Sequence, residues 1–293
     1  MNSADYLLWL CRWLTDGAAM YLFGTALFLL SLAPGGLGSR LWHACQPRLG
    51  GIRWLILLAT LCALPLHNAI LADSWADSWQ ISSLAMLAGE STIGRAWCWQ
   101  LAAALLLVLS GHAGQRAGAA PVTAILAAAF LASLTLTGHA AMHDGWLGVV
   151  HQLNDLLHLL AAAAWLGALP LVLQLMRQTG PWRQPAMQAL IRFSTAGHVL
   201  VAVVILTGMG NFYLINGSLL ADGFSAYTIL LGLKLLAVFG MVLLALFNRY
   251  YLVPRMRDKR STIPCFIRAV NMQIALCLLA LALLACLGTL DPH

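Results

Sequence analysis

Long apolar runs dominate the sequence and restrict it to folds that a lipid bilayer can hold. The first run, Tyr6–Ala33, has no basic start and exceeds the apolar core of a cleaved secretory signal, so we expect it to remain as a membrane helix. Counting runs of about 20 residues predicts about eight transmembrane helices in one all-α bundle, a single integral-membrane domain over residues 1–293. Their approximate limits are 6–33, 50–72, 94–111, 120–137, 151–177, 187–215, 226–250 and 264–290.

Charged residues are few and unevenly distributed. Only 9% of the residues are charged, against roughly 25% in soluble domains. Lys and Arg cluster in the loops predicted after the first, third, fifth and seventh helices, whereas the other loops carry mainly Asp and Glu. The positive-inside rule therefore predicts a multi-pass protein of the bacterial inner membrane with both termini in the periplasm. The formal charge of +6 then indicates contact with anionic lipid, and we expect no nucleic-acid partner.

Several catalytic signatures are absent from the sequence. It contains no GxxxxGK[ST] P-loop and no HExxH zinc motif, and its predicted cytoplasmic loops are too short for a catalytic domain. The seven cysteines form no CxxC pair, and their odd number argues against a disulfide framework. We therefore expect no enzymatic activity.

One short stretch, residues 138–167, concentrates side chains that bind metals. Its candidates are His139, Met142, His143, His151, Asp155 and His158. Within the predicted fifth helix, His151, Asp155 and His158 are spaced i, i+4 and i+7, which places them on one face. Ionisable groups at membrane depth are costly and tend to face a bundle interior or a cavity. The stretch therefore predicts a polar track that descends from the outer surface into the membrane.

The mixture of imidazole and thioether groups indicates copper, because thioethers favour the reduced ion and imidazole suits both oxidation states. We predict an outer capture site built from His139, Met142, His143 and His151. We predict a deeper site, below Asp155, built from His158, His198, Asp16 and Met20. The inferred function is a copper transporter in which copper passes from the outer site toward His198.

Two alternatives stay open from the sequence. The protein could be a membrane b-type cytochrome in which His158 and His198 are the axial ligands of haem b. It could also be a scaffold or sensor whose outer cluster only receives copper from a periplasmic partner. A visible spectrum of the purified protein tests the first alternative, and flux measurements in proteoliposomes test the second.

Longer motifs give the sequence a family resemblance. They are "GHAAMHDG", "HQLNDLLHLLAAAAWLGAL", "RFSTAGH", "LLGLKLL" and "ALFNRYYLVPRMR". In these motifs the chain resembles the CopD (PcoD) family of bacterial inner-membrane copper proteins over nearly its whole length. The resemblance implies an eight-helix protein of copper homeostasis that moves copper from periplasm toward cytoplasm, often with a small periplasmic CopC-type copper carrier.

The resemblance also implies which histidines matter. The family histidines correspond to His139, His151, His158 and His198. Relatives carry an R-F-I-H pattern early in the first helix, whereas this chain has "RWLTD" there. Thr15 therefore stands where the relatives carry this histidine. Asp16, beside it, is the candidate substitute as a ligand or as a charge partner, and it is a poorer ligand for reduced copper.

Overall fold

Helices make up almost all of the described structure. The computed structural model describes residues 2–112, 119–217, 225–255 and 262–290, and within these ranges it contains no strand. The helices are α1 (Ser3–Ser31), α2 (Leu37–Ala72), α3 (Ile81–Glu90), α4 (Thr92–His112), α5 (Ala119–Leu134), α6 (Gly145–Leu166), α7 (Leu169–Met176), α8 (Arg183–Asn216), α9 (Ala226–Phe247), α10 (Val253–Arg255) and α11 (Thr262–Leu287). Short 3₁₀ turns lie at Ala76–Trp79, Gly138–Ala141 and Gly180–Trp182, and a π-helical turn, Asn248–Leu252, joins α9 to α10.

Two of the helices begin at capping boxes that are visible in the sequence. The side chain of Asn2 accepts from the backbone N–H of Ser3 at 2.7 Å, and the Asp5 carboxylate accepts from the backbone N–H of Asn2 at 2.7 Å. At the start of α9, Ser225 and Thr228 form the same reciprocal arrangement. These contacts satisfy backbone N–H groups that have no partner within the helix.

The structure confirms an all-α polytopic membrane protein. Seven of the described helical segments are long and apolar enough to cross a membrane. The predicted span at 120–137 corresponds to α5, which has 16 residues. At 1.5 Å per residue α5 is about 24 Å long, shorter than the roughly 30 Å hydrocarbon core. It nevertheless packs within the bundle, against α1 and α4.

Several helix limits differ from the prediction. Helix α2 begins at Leu37 instead of residue 50 and accommodates Pro47 in its interior. Helix α3 lies in a segment predicted as a loop. The predicted helix 151–177 is divided into α6 and α7 near Gly167, where α6 crosses α1. A Cβ at Gly167 would overlap the backbone carbonyl of Met20, so a larger residue would push the two helices apart.

The two ends of the chain meet at one end of the bundle. The Trp9 indole donates to the Thr289 hydroxyl at 2.8 Å, and Arg12 donates to the Gly288 carbonyl at 3.2 Å. We call this the terminal end; the side chain of Asn2 also contacts Asp73 there. The first and last described residues therefore lie on the same side of the bundle.

Basic side chains gather at the other end, which we call the opposite end. There Arg40 donates to Gln178 at 2.8 Å and lies over the Trp182 ring. Arg249 donates to Ser194 at 2.8 Å. The positive-inside rule places such an end in the cytoplasm, so the periplasmic location of the terminal end stays a prediction.

Candidate functional site

Two histidine rings meet at the terminal end of the bundle. The Nδ1 atoms of His143 and His151 lie 3.2 Å apart, and the ring centroids are 5.2 Å apart. His143 belongs to the segment before α6, whereas His151 lies in the second turn of α6 and is buried. The backbone turns back at Gly145, whose φ of 61° is costly for other residues. Gly148 leaves room for the carbonyl of His143, so the segment folds onto the first turns of α6.

The spacing of this pair suits a shared metal ion. Two nitrogen ligands at 2.0–2.1 Å from one metal in tetrahedral geometry lie about 3.3 Å apart. The observed separation of 3.2 Å also allows the two rings to share one proton. The pair can therefore supply two imidazole ligands to one cation without a large rearrangement.

The other two predicted outer ligands lie close by but are not joined to the pair. The His139 ring donates through Nε2 to the Leu287 carbonyl at 3.1 Å and packs edge-on against Tyr227. It lies within electrostatic range of His151. Met142 is 44% exposed, so its thioether is accessible at the surface. Within the described ranges, no group of three or more His, Cys, Asp and Glu side chains is arranged to hold a metal ion.

Below the pair, a hydrogen-bonded network joins α6 to α8. Asn154 donates to the Asn211 side chain at 2.7 Å and to the Thr207 carbonyl at 2.8 Å. Asn211 in turn donates to the Asp155 carboxylate at 2.8 Å. Gly210 makes this approach possible, because a Cβ there would lie 3.0 Å from the Asn154 amide. Thr207 and Asn211 share one face of α8 by their i, i+4 spacing, a signal that the sequence offered but that did not reveal the partner helix.

His158 is held in one orientation by Thr207. Its Nδ1 lies 3.0 Å from the Thr207 hydroxyl, and that hydroxyl donates to the Val203 carbonyl at 2.6 Å. Since the hydroxyl hydrogen is used by Val203, the Thr207 oxygen accepts from Nδ1–H of His158. That tautomer leaves the lone pair on Nε2 available for a ligand. Gly208 gives the ring space, because a Cβ there would lie 3.3 Å from its Cε1.

Charged groups on three other positions balance the polar face of α6. Asp16 of α1 lies close enough to Arg12 and Asp155 for their charges to interact. Lys234 of α9 lies within electrostatic range of Asp155 and His158. Two carboxylates and Lys234 therefore share the membrane-buried region, and Arg12 lies between them and the terminal end. This balance accounts for their presence at membrane depth and leaves Asp16 as a charge partner as well as a candidate ligand.

The structure does not bring His198 to the rest of the predicted deeper site. His198 lies nine residues before Thr207 on α8, about 14 Å along the helix axis. Its ring nitrogens contact the Ser194 carbonyl at 3.0 Å and the Tyr250 hydroxyl at 2.9 Å. Met20 is buried in α1 beside Gly167. The predicted deeper site is therefore divided between two levels of the bundle.

The separation of His198 from His158 along the bundle also affects the haem alternative. Axial ligands of one haem bind a single iron atom from opposite faces. His158 contacts Thr207, whereas His198 contacts Tyr250 nearer the opposite end. The structure therefore offers no support for these two histidines as an axial pair.

Comparisons with known proteins agree with the membrane architecture. A profile described as "Copper resistance protein D-like, N-terminal domain" matches residues 2–149, and one described as "Copper resistance protein D" matches residues 187–287. No solved structure matches significantly.

Curated relatives match most of the chain. The chain is 34% identical to the inner membrane protein YebZ of Escherichia coli, over 82% of each sequence. It is 31% identical to copper resistance protein D of Pseudomonas syringae, over 94% of this chain and 93% of the relative. A shorter match, 29% identical, covers 55% of this chain and 31% of the copper transport protein CutJ of Bacillus subtilis. The chain therefore belongs to the copper resistance protein D family of membrane proteins.

Proposed function

We propose that the protein binds copper at the His143–His151 pair and moves it along the polar face of α6 toward the cytoplasm. The observation that carries this proposal is the 3.2 Å separation of the two Nδ1 atoms at the terminal end. The names of two relatives, copper resistance protein D and copper transport protein CutJ, support copper as the cargo. His139 and Met142 lie in the same segment and are the candidates to complete the coordination, which requires His139 to leave the Leu287 carbonyl.

The polar face supplies a continuous series of groups below the pair. Asn154, Asn211 and Asp155 form the next level, and the free Nε2 of His158 lies beneath them. Exchange between neighbouring ligands keeps each bound state weak enough for the ion to leave, as conduction requires. A periplasmic CopC-type carrier would deliver copper to the exposed segment at residues 138–144.

The membrane potential can drive this movement. A cation that moves to a negative interior gains about 2.3 kcal/mol per charge per 100 mV. This source of energy is consistent with a chain whose sequence carries no P-loop. The proposal requires the terminal end to face the periplasm, which a reporter fused to the C-terminus tests.

The test compares the variants His143→Ala and His151→Ala with His43→Ala. His43 is an exposed histidine near the start of α2, at the opposite end of the molecule. We expect each variant of the pair to weaken Cu(II) binding to the purified protein by at least the roughly 10- to 100-fold that loss of a supporting partner produces at metal sites. Copper accumulation in cells should fall to the level of cells without the protein.

The control variant should bind and accumulate copper like the wild-type protein. Electron paramagnetic resonance of the Cu(II)-loaded protein should show two coordinated imidazoles in the wild-type protein and fewer in each variant of the pair. Wild-type copper binding and accumulation in both His143→Ala and His151→Ala would refute the proposal.

A further inference from the structure

We propose that the Tyr250 hydroxyl caps the metal-binding nitrogen of His198, so that copper must displace this hydroxyl to leave the bundle at the opposite end. This inference rests on the proposed function for the identity of the cargo. It assigns a role to Tyr250 and to the π-helical turn that carries it, and it concerns the exit side of the route instead of the entry site.

Two motifs of the sequence meet at this point. "RFSTAGH" contributes Ser194 and His198 of α8, and "ALFNRYYLVPRMR" contributes Arg249 and Tyr250 of the π-helical turn. Arg249 donates to the Ser194 hydroxyl at 2.8 Å, and the Tyr250 hydroxyl lies 2.9 Å from Nε2 of His198. Since α8 packs on α6 and α9 packs on α11, these contacts join helices that belong to different pairs.

The hydrogen bonds determine which nitrogen of His198 can bind a metal. Nδ1 lies 3.0 Å from the Ser194 carbonyl, and a carbonyl oxygen only accepts, so Nδ1 carries the hydrogen of the neutral ring. Nε2 therefore holds the lone pair, and the Tyr250 hydroxyl donates to it. A metal ion binds a neutral imidazole through this lone pair. The Tyr250 hydroxyl thus occupies the position that the ion would take.

His198 lies at a suitable depth for the exit. It is 13 residues before Asn211 on α8, which is about 20 Å along the axis toward the opposite end. Asn211 belongs to the network directly below the entry pair. The hydrocarbon core is roughly 30 Å thick. His198 therefore lies beyond His158 on the way to the opposite end, and its side chain is exposed there.

The π-helical turn that joins α9 to α10 sets the direction of the Tyr250 side chain. Its first residue is anchored inside the bundle, because Asn248 donates to the Gln273 side chain at 3.1 Å and Gln273 donates to a backbone carbonyl of α9 at 3.1 Å. Arg249 and Tyr250 follow, and both reach α8. Turns of this kind are rare and frequently lie at functional sites. Because Arg249 and Tyr250 are consecutive, one rearrangement of the turn would withdraw both from α8.

Displacement of the cap requires no proton transfer and no redox step. The Tyr250 hydroxyl keeps its hydrogen, His198 keeps the hydrogen on Nδ1, and copper takes over only the lone pair of Nε2. A hydrogen bond between neutral side chains shifts an equilibrium by roughly 2- to 12-fold. The cap therefore lowers the occupancy of His198 but leaves it weak enough for copper to displace, as conduction requires.

The experiment compares Tyr250→Phe with Tyr251→Phe in the purified full-length protein in detergent. Both variants lose one hydroxyl from an exposed tyrosine, but the Tyr251 ring stacks on Phe247 and lies against the Arg255 guanidinium. Diethyl pyrocarbonate attacks the lone pair of a neutral imidazole, and mass spectrometry of peptides gives the modification rate of each histidine. The measurement is repeated with increasing Cu(II) sulfate, which protects a histidine whose lone pair it occupies.

We expect His198 to be modified roughly 2- to 12-fold faster in Tyr250→Phe than in the wild-type protein or Tyr251→Phe. Cu(II) should protect His198 in Tyr250→Phe at a concentration that is lower by a similar factor. Equal modification rates in the three proteins, each shown to be folded by a thermal unfolding curve, would overturn the cap. A His198 that copper never protects in Tyr250→Phe would overturn its role as the exit ligand.

Failure of this inference is distinguishable from failure of the proposed function, because each histidine is measured separately. If copper protects His143 and His151 but not His198, the entry site stands and the exit ligand is wrong. If copper protects His198 but neither histidine of the pair, the entry site is wrong and the exit ligand stands.

Discussion

The two halves of α6 differ in what holds them against the rest of the bundle. In the first half, Asn154, Asp155 and His158 are tied to α8 by hydrogen bonds to side chains and a carbonyl. In the second half, Ala161–Trp165 are buried by apolar packing against neighbouring helices. One helix therefore changes from a polar site to an apolar barrier within a few turns. The proposed transport needs both, because a polar track that continued through the membrane would conduct water and other ions.

The largest expected effect comes from opening the apolar half. Trp165→Ala removes the largest side chain of the apolar half. Loss of a buried aromatic residue costs roughly 3–5 kcal/mol. We expect a large drop in thermal unfolding temperature in detergent, together with an ion leak in proteoliposomes. Leu206→Ala is the control, since Leu206 is 69% exposed on α8. A Trp165→Ala protein that is as stable as wild type and no more permeable to ions would show that the apolar half is not the barrier.

The junction between α6 and α7, just beyond the apolar half, should be the next most sensitive position. Gly167→Ala places a Cβ against the Met20 carbonyl at the crossing of α1 and α6. Overpacking of this kind costs about 1–3 kcal/mol. Gly50→Ala is the control, because a Cβ there meets nothing within 4 Å. Equal unfolding temperatures for the two variants would contradict the close crossing.

A smaller effect is expected from the hydrogen bonds of the polar half. Asn211→Leu leaves the Asn154 amide with one partner fewer and removes the donor to Asp155. Side-chain hydrogen bonds between membrane helices are worth about 0.6 kcal/mol on average and up to roughly 1.7 kcal/mol. We expect destabilisation in this range and slower copper transport. Asn216→Leu, at the end of α8, should have neither effect, because the hydrogen bond that Asn216 donates among the described residues goes to the Phe212 carbonyl of its own helix.

The smallest effect is predicted for Thr207→Val, which removes the acceptor for His158 without changing the size of the side chain much. Stability should change by about 0.6 kcal/mol. Copper affinity at His158 should fall more than stability does, because the tautomer that exposes Nε2 is no longer selected. Thr195→Val, on an exposed position of the same helix, provides the comparison. Identical copper affinity in the two variants would remove the proposed role of Thr207.

Much of the contrast between the two halves of α6 was predictable from the sequence. Apolar run length predicted the membrane helices, and the i, i+4, i+7 spacing predicted that His151, Asp155 and His158 share a face. The partners of that face were not predictable, because Thr207 and Asn211 lie about 50 residues away and their pairing depends on how α8 packs on α6. The separation of His198 from His158 has the same cause: residue type indicates a ligand, but depth along a helix decides which residues meet.

The segment before α6 illustrates a second limit. The sequence grouped His139, Met142, His143 and His151 as one outer site, since all lie in one stretch that runs from the predicted outward loop into the predicted fifth helix. The structure joins only His143 to His151, because Gly145 and Gly148 direct the backbone at that point. His139 is instead held by α11 through Leu287. Similarly, the extension of α2 through Pro47 and the presence of α3 depend on packing that residue patterns do not reveal.

The most direct test of the account is the position of copper in the structure of the loaded protein. Crystals of the protein loaded with copper, measured on both sides of the copper absorption edge, should give an anomalous difference peak between Nδ1 of His143 and Nδ1 of His151. A peak at any other place, with these two nitrogen atoms still in mutual contact, would contradict the assignment of this pair as the entry site.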